Sequence, residues 1–202
     1  MTQDSLHTKR SAQLQRHTKE TQVQLTLCLD GQGKCDIQTG LGFLDHMITA
    51  LAYHARWDLI LHCKGDLHVD SHHTTEDCAL LLGQAIDQCL TDRKGIRRFA
   101  HAYAPLDEAL SRCVLDLSGR PWPEIDLGLK REMLGQVACE DLVHFLQSLA
   151  IAMKASLHVD TLKGHNDHHR VESAFKACAL ALRSAVQRTE SGEALSTKGM
   201  LV

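Results

Sequence analysis

Two copies of the pattern HHxxE are the part of this 202-residue chain best suited to chemistry. The copies lie 96 positions apart, and their members are His72, His73, Glu76, His168, His169 and Glu172. On a helix, residues four apart share a face, so the first histidine and the glutamate of each copy can bind one metal ion together. The second histidine is rotated by about 100° and must bind a different ion. The pattern therefore predicts two metal ions held by imidazole and carboxylate ligands.

One further histidine precedes each copy of the pattern. His46 and His144 lie 98 positions apart, each within a short apolar stretch of helical spacing. Six imidazoles and two carboxylates provide about four protein ligands for each of two ions, which leaves positions open for substrate or water. A ligand set without thiolate favours Mn²⁺, Fe²⁺, Co²⁺ or Zn²⁺, and six-coordinate geometry would favour manganese. The other eight of the 14 histidines are typical of solvated or capping side chains.

A lysine makes the two copies unequal. Lys176 lies one helical turn beyond Glu172 on the same face, whereas the first copy has Leu80 at that place. A cation beside only one of two similar ligand helices predicts an asymmetric substrate with an anionic end. Further basic candidates are Arg97, Arg98, Arg120 and Lys198. Taken singly, each of them is typical of a solvated surface charge, but several that converge would indicate a phosphate site.

The elements that must position these residues are also predicted to occur twice. Apolar residues at helical spacing predict one short and one longer helix in each copy. The short helices lie near 44–51 and 142–153, and the longer ones near 78–90 and 171–186. Apolar alternation and apolar runs predict strands at 23–29, 58–61 and 113–117. The predicted fold class is α+β, with two tandem half-domains, each a small β-sheet packed on helices. Their predicted limits are 1–95 and 96–190, followed by a C-terminal tail at 191–202.

The composition excludes several classes of function. A formal net charge of −3, from 22 basic and 25 acidic residues, provides no excess of cations for nucleic acid or an anionic membrane. No apolar run approaches the ~18 residues of a membrane-spanning helix, and the N-terminal sequence lacks the apolar middle of a signal peptide. These features predict a cytoplasmic protein. The eight cysteines form no CxxC pair, and Cys78, Cys89 and Cys178 fall on apolar helix stripes, which predicts free, buried thiols.

Six ordered blocks of sequence resemble the motifs of the imidazoleglycerol-phosphate dehydratase family, which acts in histidine biosynthesis. The blocks are GLGFLDHM (40–47), DLHVDSHHTTED (66–77), YAPLDEAL (103–110), LDLSGRP (115–121), GHNDHHRVESAFKA (164–177) and STKGML (196–201). The resemblance extends from about Arg10 to Leu201 and implies a ribosomal protein S5 domain 2-like fold. One departure is Ala55 after His54, where the family usually has glycine, so the local turn could differ.

The resemblance implies roles for individual residues. It assigns one manganese to His46, His73, His168 and Glu172, and the other to His72, Glu76, His144 and His169. It implies that Glu20, Glu76 and Glu172 are catalytic, and that Glu20 is also a substrate-binding acid–base residue. The implied phosphate contacts are Arg98, Arg120, Lys176, Ser196 and Lys198. Spacing alone identifies neither Glu20 nor Ser196.

The resemblance also implies an activity and an assembly. The activity is dehydration of D-erythro-imidazoleglycerol phosphate, a small phosphate substrate, to imidazole-acetol phosphate, with two Mn²⁺ per active site. The assembly is a large homo-oligomer, a 24-mer of identical subunits with manganese at the interfaces. The residues themselves point the same way, because a helical doublet aims its two histidines in divergent directions. A metal site completed across a subunit boundary is therefore predicted.

Two other classes of protein could contain the same histidines. A dinuclear-metal phosphohydrolase would also use imidazole and carboxylate ligands, with cations that bind phosphate, but it would release inorganic phosphate. A non-catalytic metal-binding protein could be equally rich in histidine, but it has no need for Lys176 on the ligand face. The products formed from imidazoleglycerol phosphate distinguish the three classes.

Overall fold

In the computed structural model, which describes residues 9–197, each half of the chain forms a four-stranded sheet and two helices. The first half contains strands β1 (Ser11–His17), β2 (Thr21–Cys28), β3 (Cys35–Gln38) and β4 (Asp58–Gly65), with helices α1 (Gly42–Ala55) and α2 (His72–Leu90). The second half contains strands β5 (Phe99–Leu106), β6 (Ala109–Asp116), β7 (Trp122–Asp126) and β10 (Ser156–Lys163), with helices α3 (Cys139–Ala152) and α4 (Asp167–Ala185). It also contains a short hairpin of β8 (Met133–Leu134) and β9 (Val137–Ala138). The predicted α+β class and its tandem repeat are confirmed.

The two sheets have the same topology. The strand order is β1-β2-β4-β3 in the first sheet and β5-β6-β10-β7 in the second. In each sheet the last strand pairs in parallel, β3 with β4 and β7 with β10, and the other pairs are antiparallel. A parallel pair requires a crossover connection, which α1 provides in the first half and α3 in the second. The repeated crossover places each short helix at the same point of its half.

The four helices lie between the two sheets and pack crosswise between the halves. Helix α1 packs against α4, and α2 packs against α3, so each longer helix contacts the shorter helix of the other half. Strands β1 and β2 cover α2, while β5 and β6 cover α4. The largest buried side chains include Trp57, Phe145 and Phe175, and they belong to one apolar cluster that spans both halves. The two halves therefore share a single core, and the predicted boundary at 95/96 falls between α2 and β5.

The sequence predicted the helices better than the strands. The predicted short helices overlap α1 and α3, and the predicted longer helices overlap α2 and α4. The longer helices begin earlier than predicted, at His72 and at Asp167. Strands β2, β4 and β6 are confirmed, whereas no prediction covers β1, β3, β5, β7 or β10. Some of these, such as SAQLQRH in β1, have too few apolar residues for alternation to be visible.

Two other predictions from composition can be compared with the structure. All eight cysteines are free, and Cys78, Cys89 and Cys178 are buried as predicted. None of the helices within residues 9–197 is both long and apolar enough to cross a bilayer.

Candidate metal centre

Six of the eight predicted metal ligands meet in two groups of three. The first triad consists of His46, His168 and Glu172, and the second triad consists of His72, Glu76 and His144. In each triad, one ligand atom per residue lies within 4.8 Å of the others. In the first triad, Glu172 Oε2 is 3.2 Å from Nε2 of both His46 and His168. In the second, His144 Nε2 is 3.1 Å from Glu76 Oε1. Three donor atoms are thus close enough to surround one ion.

Each triad draws its residues from both halves of the chain. In the first triad, His168 and Glu172 lie one turn apart on α4, and His46 lies on α1, which packs against α4. In the second triad the roles are reversed, because the pair lies on α2 and the single histidine, His144, lies on α3. The predicted pairs on one helical face are therefore present, and neither half holds a complete triad.

Polar residues fix the start of each longer helix at its doublet. Asn166 is the N-cap of α4, and its Oδ1 accepts a hydrogen bond from the backbone N–H of His168 at 3.0 Å. Asp70 Oδ1 accepts the backbone N–H of His72 at 2.9 Å. The first N–H groups of a helix have no partner within it, so both contacts stabilise the start of the helix where the doublet must begin.

The second histidine of each doublet belongs to neither triad. Nδ1 of His73 is 3.0 Å from Asp66 Oδ2, and Nδ1 of His169 is 2.7 Å from Glu108 Oε2. These hydrogen bonds raise the pKa of both histidines, and the contact with His169 lowers the pKa of Glu108 to about 2. A carboxylate on Nδ1 leaves Nε2 as the nitrogen for a metal, an arrangement common among histidine ligands. The structure thus places two predicted ligands outside the triads of their own chain.

Two hairpin connections bring carboxylates to these outer histidines. Glu20 lies in the exposed connection between β1 and β2, and its negative charge adds to that of Asp66 in raising the pKa of His73. The turn between β5 and β6 contains Glu108, the partner of His169. Glu20, which the resemblance implies to be an acid–base residue, therefore lies near His73. Residue spacing could not reveal this proximity.

Lys176 lies beside the first triad, on the ligand face where the helical spacing predicted it. Its Nζ is 2.7 Å from Glu172 Oε1. Burial alone would raise the pKa of Glu172, but the contacts with Lys176 and His46 lower it to about 2. Leu80 occupies the corresponding place on α2. The first triad therefore has an adjacent cation at a position where the second has an apolar side chain.

Arg98, one of the predicted phosphate contacts, is engaged within the protein. Its Nε is 2.7 Å from Asp116 Oδ1, and its guanidinium lies 4.4 Å from the centre of the Phe99 ring. It also donates a hydrogen bond to the backbone carbonyl of Leu195. This contact holds the C-terminal segment beside Arg98, one residue before Ser196.

The other predicted phosphate contacts lie in irregular segments. Arg120 is exposed between β6 and β7, and its backbone N–H donates to Ser118 Oγ at 3.3 Å. The backbone N–H of Ser196 donates to the carbonyl of Ala194 at 2.8 Å. Lys198 lies outside the described residues. Their roles toward phosphate stay predictions.

Three carboxylates that hold the histidines were not predicted. They are Asp66, Glu108 and Asp141, which bind Nδ1 of His73, His169 and His72. Asp66 and Glu108 stand inside the blocks 66–77 and 103–110, so their place in a motif offered a signal. Asp141 lies outside those blocks and is 69 positions from its partner, so nothing in its spacing relates the two residues.

The donor chemistry of both triads fits a divalent metal ion. Imidazole nitrogens and carboxylate oxygens without thiolate suit a borderline first-row ion. Three protein ligands leave coordination positions for a fourth ligand and for substrate, as in catalytic rather than closed structural sites. The side chains of the first triad range from 13% exposed for Glu172 to 48% exposed for His46, so a ligand from outside can reach them. The described residues thus provide two candidate metal sites per chain.

The chain is similar to known proteins along most of its length. A family model described as imidazoleglycerol-phosphate dehydratase matches residues 39–182, a span that contains both triads. The imidazoleglycerol-phosphate dehydratase of Kluyveromyces lactis is 54% identical over 189 residues, which cover 94% of this chain and 84% of that protein. The chain belongs to the imidazoleglycerol-phosphate dehydratase family.

Other members of the imidazoleglycerol-phosphate dehydratase family match the chain over similar lengths. The protein of that name from Maudiozyma humilis is 48% identical over 225 residues and matches along 96% of this chain and 100% of its own length. The solved structure from Staphylococcus aureus subsp. aureus N315 is 34% identical, with a TM-score of 0.80 over 89% of this chain and 99% of that one. The structure from Pyrococcus furiosus is also 34% identical, with a TM-score of 0.81 over 93% and 100%. The resemblance inferred from the six blocks is confirmed.

Proposed function

We propose that this protein is an imidazoleglycerol-phosphate dehydratase that binds one Mn²⁺ at each triad. It would remove water from D-erythro-imidazoleglycerol phosphate, in histidine biosynthesis, to give imidazole-acetol phosphate. The observation that carries the proposal is the pair of triads, each built from both repeats, in a chain of this family. Two ions bound there would act as Lewis acids toward the nitrogens of the substrate's imidazole ring. A cytoplasmic location stays a prediction.

The fourth protein ligand of each site is proposed to come from a neighbouring subunit. His73 and His169 lie outside the triads, and the carboxylates on Nδ1 leave Nε2 of each ring for a metal. Their side chains are 40% and 27% exposed, so another subunit can approach them. By resemblance, His73 would complete the first triad and His169 the second. A large homo-oligomer, of about 24 subunits in the resembled family, would meet this requirement.

The phosphate of the substrate is proposed to bind on the side of the first triad. Lys176 lies there, 21% exposed, with its ammonium held at the ligand face by Glu172. A phosphate can accept charge-assisted hydrogen bonds from lysine and arginine. Its other proposed contacts are Arg98, Arg120, Ser196 and Lys198. Because Leu80 stands at the corresponding place beside the second triad, the substrate would bind in one orientation.

Proton transfer is proposed for Glu20. Its carboxylate is exposed and lies near His73, the histidine proposed to complete a site on another subunit. Glu20 would therefore reach the substrate of that site, where a carboxylate can accept or return a proton. Glu76 and Glu172 would contribute to catalysis as ligands.

Incubation of the Mn²⁺-loaded protein with imidazoleglycerol phosphate tests the proposed function. We expect imidazole-acetol phosphate, detected as a ketone that retains its phosphate. Release of inorganic phosphate would contradict the proposal in favour of a dinuclear phosphohydrolase. No conversion by protein that holds its metal would contradict it in favour of a non-catalytic metal-binding protein.

A further inference from the structure

The two triads differ in the residue that holds the first histidine of the doublet. Asp141 lies on α3, three residues before the triad histidine of that helix, and its Oδ1 is 2.9 Å from Nδ1 of His72. On α1 the corresponding residue is Phe43, whose ring meets the ring of His168 edge-on, with 5.1 Å between their centres. A carboxylate therefore holds His72, whereas His168 contacts an aromatic side chain that carries no oxygen or nitrogen.

Asp141 is itself held by a buried chain of hydrogen bonds. The residue is 3% exposed, and its Oδ2 accepts a hydrogen bond from Ser71 Oγ. Ser71, 4% exposed, accepts the backbone N–H of Ala138 at 3.1 Å. Asp141 also lies in the first turn of α3, where the helix dipole favours negative charge. Both carboxylate oxygens have partners, so the side chain is fixed in the orientation that contacts His72.

The contact with Asp141 determines which ring nitrogen of His72 carries the proton. A carboxylate accepts hydrogen bonds and cannot donate them, so the proton of the neutral imidazole lies on Nδ1. The lone pair of Nε2 is then available to a metal. The ring of His72 also stacks on that of His144, with 4.8 Å between the ring centres and 22° between their planes. The two imidazoles of the second triad are therefore ordered before any ion binds.

The charges beside the two triads also differ, and they favour binding of a cation at the second triad. Beside the first triad, the ammonium of Lys176 is 2.7 Å from Glu172 and would repel a divalent cation. Beside the second triad, Leu80 takes that place, and the carboxylate of Asp141 adds a negative charge behind His72. Both the ordering of the ligands and the local charge favour an ion at the second triad.

We propose that Asp141 is a positioning residue for His72 and that it makes the second triad the tighter of the two metal sites. The inference rests on the proposed metal binding and concerns the order in which the sites fill. Removal of a carboxylate that holds a histidine ligand typically weakens metal binding by about 10–100-fold.

Equilibrium dialysis of the full chain against buffered Mn²⁺, with bound metal measured by mass spectrometry, tests the inference. We expect two classes of site per chain, of which His72→Asn removes the tighter and His168→Asn the weaker. Asp141→Leu should weaken the tighter class by about 10–100-fold and leave the weaker class unchanged. Phe43→Leu, at the corresponding position, is the control and should leave the tighter class unchanged. An unchanged tighter class in Asp141→Leu, or its loss in His168→Asn, would overturn the inference.

A second variant keeps the test decisive if Asp141→Leu does not fold, as judged by circular dichroism. Asp141→Asn keeps the shape but removes the charge, so it should weaken the tighter class several-fold, and an unchanged affinity would overturn the inference. Product analysis of the wild type is a separate measurement. Two equal sites in a protein that forms the ketone would refute only this inference. Unequal sites without ketone formation would refute only the proposed reaction.

Discussion

The first histidines of the two doublets belong to different triads, His72 to the second and His168 to the first. Replacing either with asparagine removes one imidazole donor, so we expect each variant to lose about one Mn²⁺ per chain and nearly all dehydration. Metal analysis and a product assay on the same sample check this. His62→Asn is a suitable control, because His62 pairs with Asp36 and belongs to neither triad. Full occupancy in both triad variants would contradict the assignment.

Lys176→Met tests the proposed phosphate contact. Loss of a charge-assisted hydrogen bond should weaken substrate binding by about 1.5–3 kcal/mol, with the metal content at saturating Mn²⁺ unchanged. Steady-state kinetics together with metal analysis measure both effects. Leu80→Met is the matched control, since it introduces the same side chain at the corresponding place of α2. Unchanged kinetics in Lys176→Met would show that the lysine serves only its ion pair with Glu172.

The sequence predicted the histidines and glutamates of the two triads better than the residues that hold them in place. Repetition of HHxxE was visible without any structure, and the i, i+4 rule correctly placed His168 and Glu172 on one helical face. Asp141 could not be predicted in the same way, because its contact with His72 depends on how α3 packs against α2. Contacts between distant segments have no periodic signature in the sequence.

Helices α2 and α3 approach each other closely at Gly83. A Cβ atom added there would lie 2.6 Å from Cβ of Ala152 and 2.8 Å from the carbonyl oxygen of Leu149, both on α3. Gly83→Ala should therefore force the two helices apart and lower the free energy of unfolding by about 1–3 kcal/mol. Because the same helix pair holds the second triad, we also expect weaker binding of its ion.

Chemical denaturation and metal titration measure the two effects of Gly83→Ala. Gly42→Ala is the control, since an added Cβ at the start of α1 would meet no atom within 4 Å. A variant with unchanged stability and unchanged metal binding would show that the α2–α3 contact tolerates an extra methyl group.

The elements themselves were predictable where apolar periodicity is strong. Helices α1 and α3 bury a regular stripe, and β2 buries alternate residues from Thr21 to Leu27. Strand β7 is short and contains Pro123, and its pairing with β10 follows from the crossover through α3 rather than from its own composition. Whether such a segment forms a strand depends on its tertiary contacts, which a single sequence does not show.

Assembly is expected to depend on the metal. An ion that needs a histidine of a second subunit binds only the oligomer and stabilises it by mass action. Light scattering should therefore show a large particle with Mn²⁺ and smaller species after chelation, with activity in the large form. Renewed addition of Mn²⁺ is the control for irreversible damage and should restore the particle. A fully active monomer would contradict this expectation.

Each triad contains residues from both halves of the molecule, so neither half can form a triad alone. The duplication could be predicted from spacings of 96 and 98 residues, but the crosswise pairing of α1 with α4 and α2 with α3 could not. Residue spacing shows that two units exist and does not show which surfaces meet. The grouping of His46 with His168 came from the resemblance, and the packing of α1 on α4 provides its physical basis.

Anomalous scattering from crystals of the Mn²⁺-loaded protein tests most directly whether the two triads form the metal centre. We expect two manganese peaks per chain, one at each triad, with His73 or His169 of a neighbouring subunit as the fourth imidazole. The same crystals, dissolved, should convert imidazoleglycerol phosphate to the ketone. A single peak per chain in active crystals, peaks away from both triads, or sites whose ligands all come from one chain would contradict the proposal.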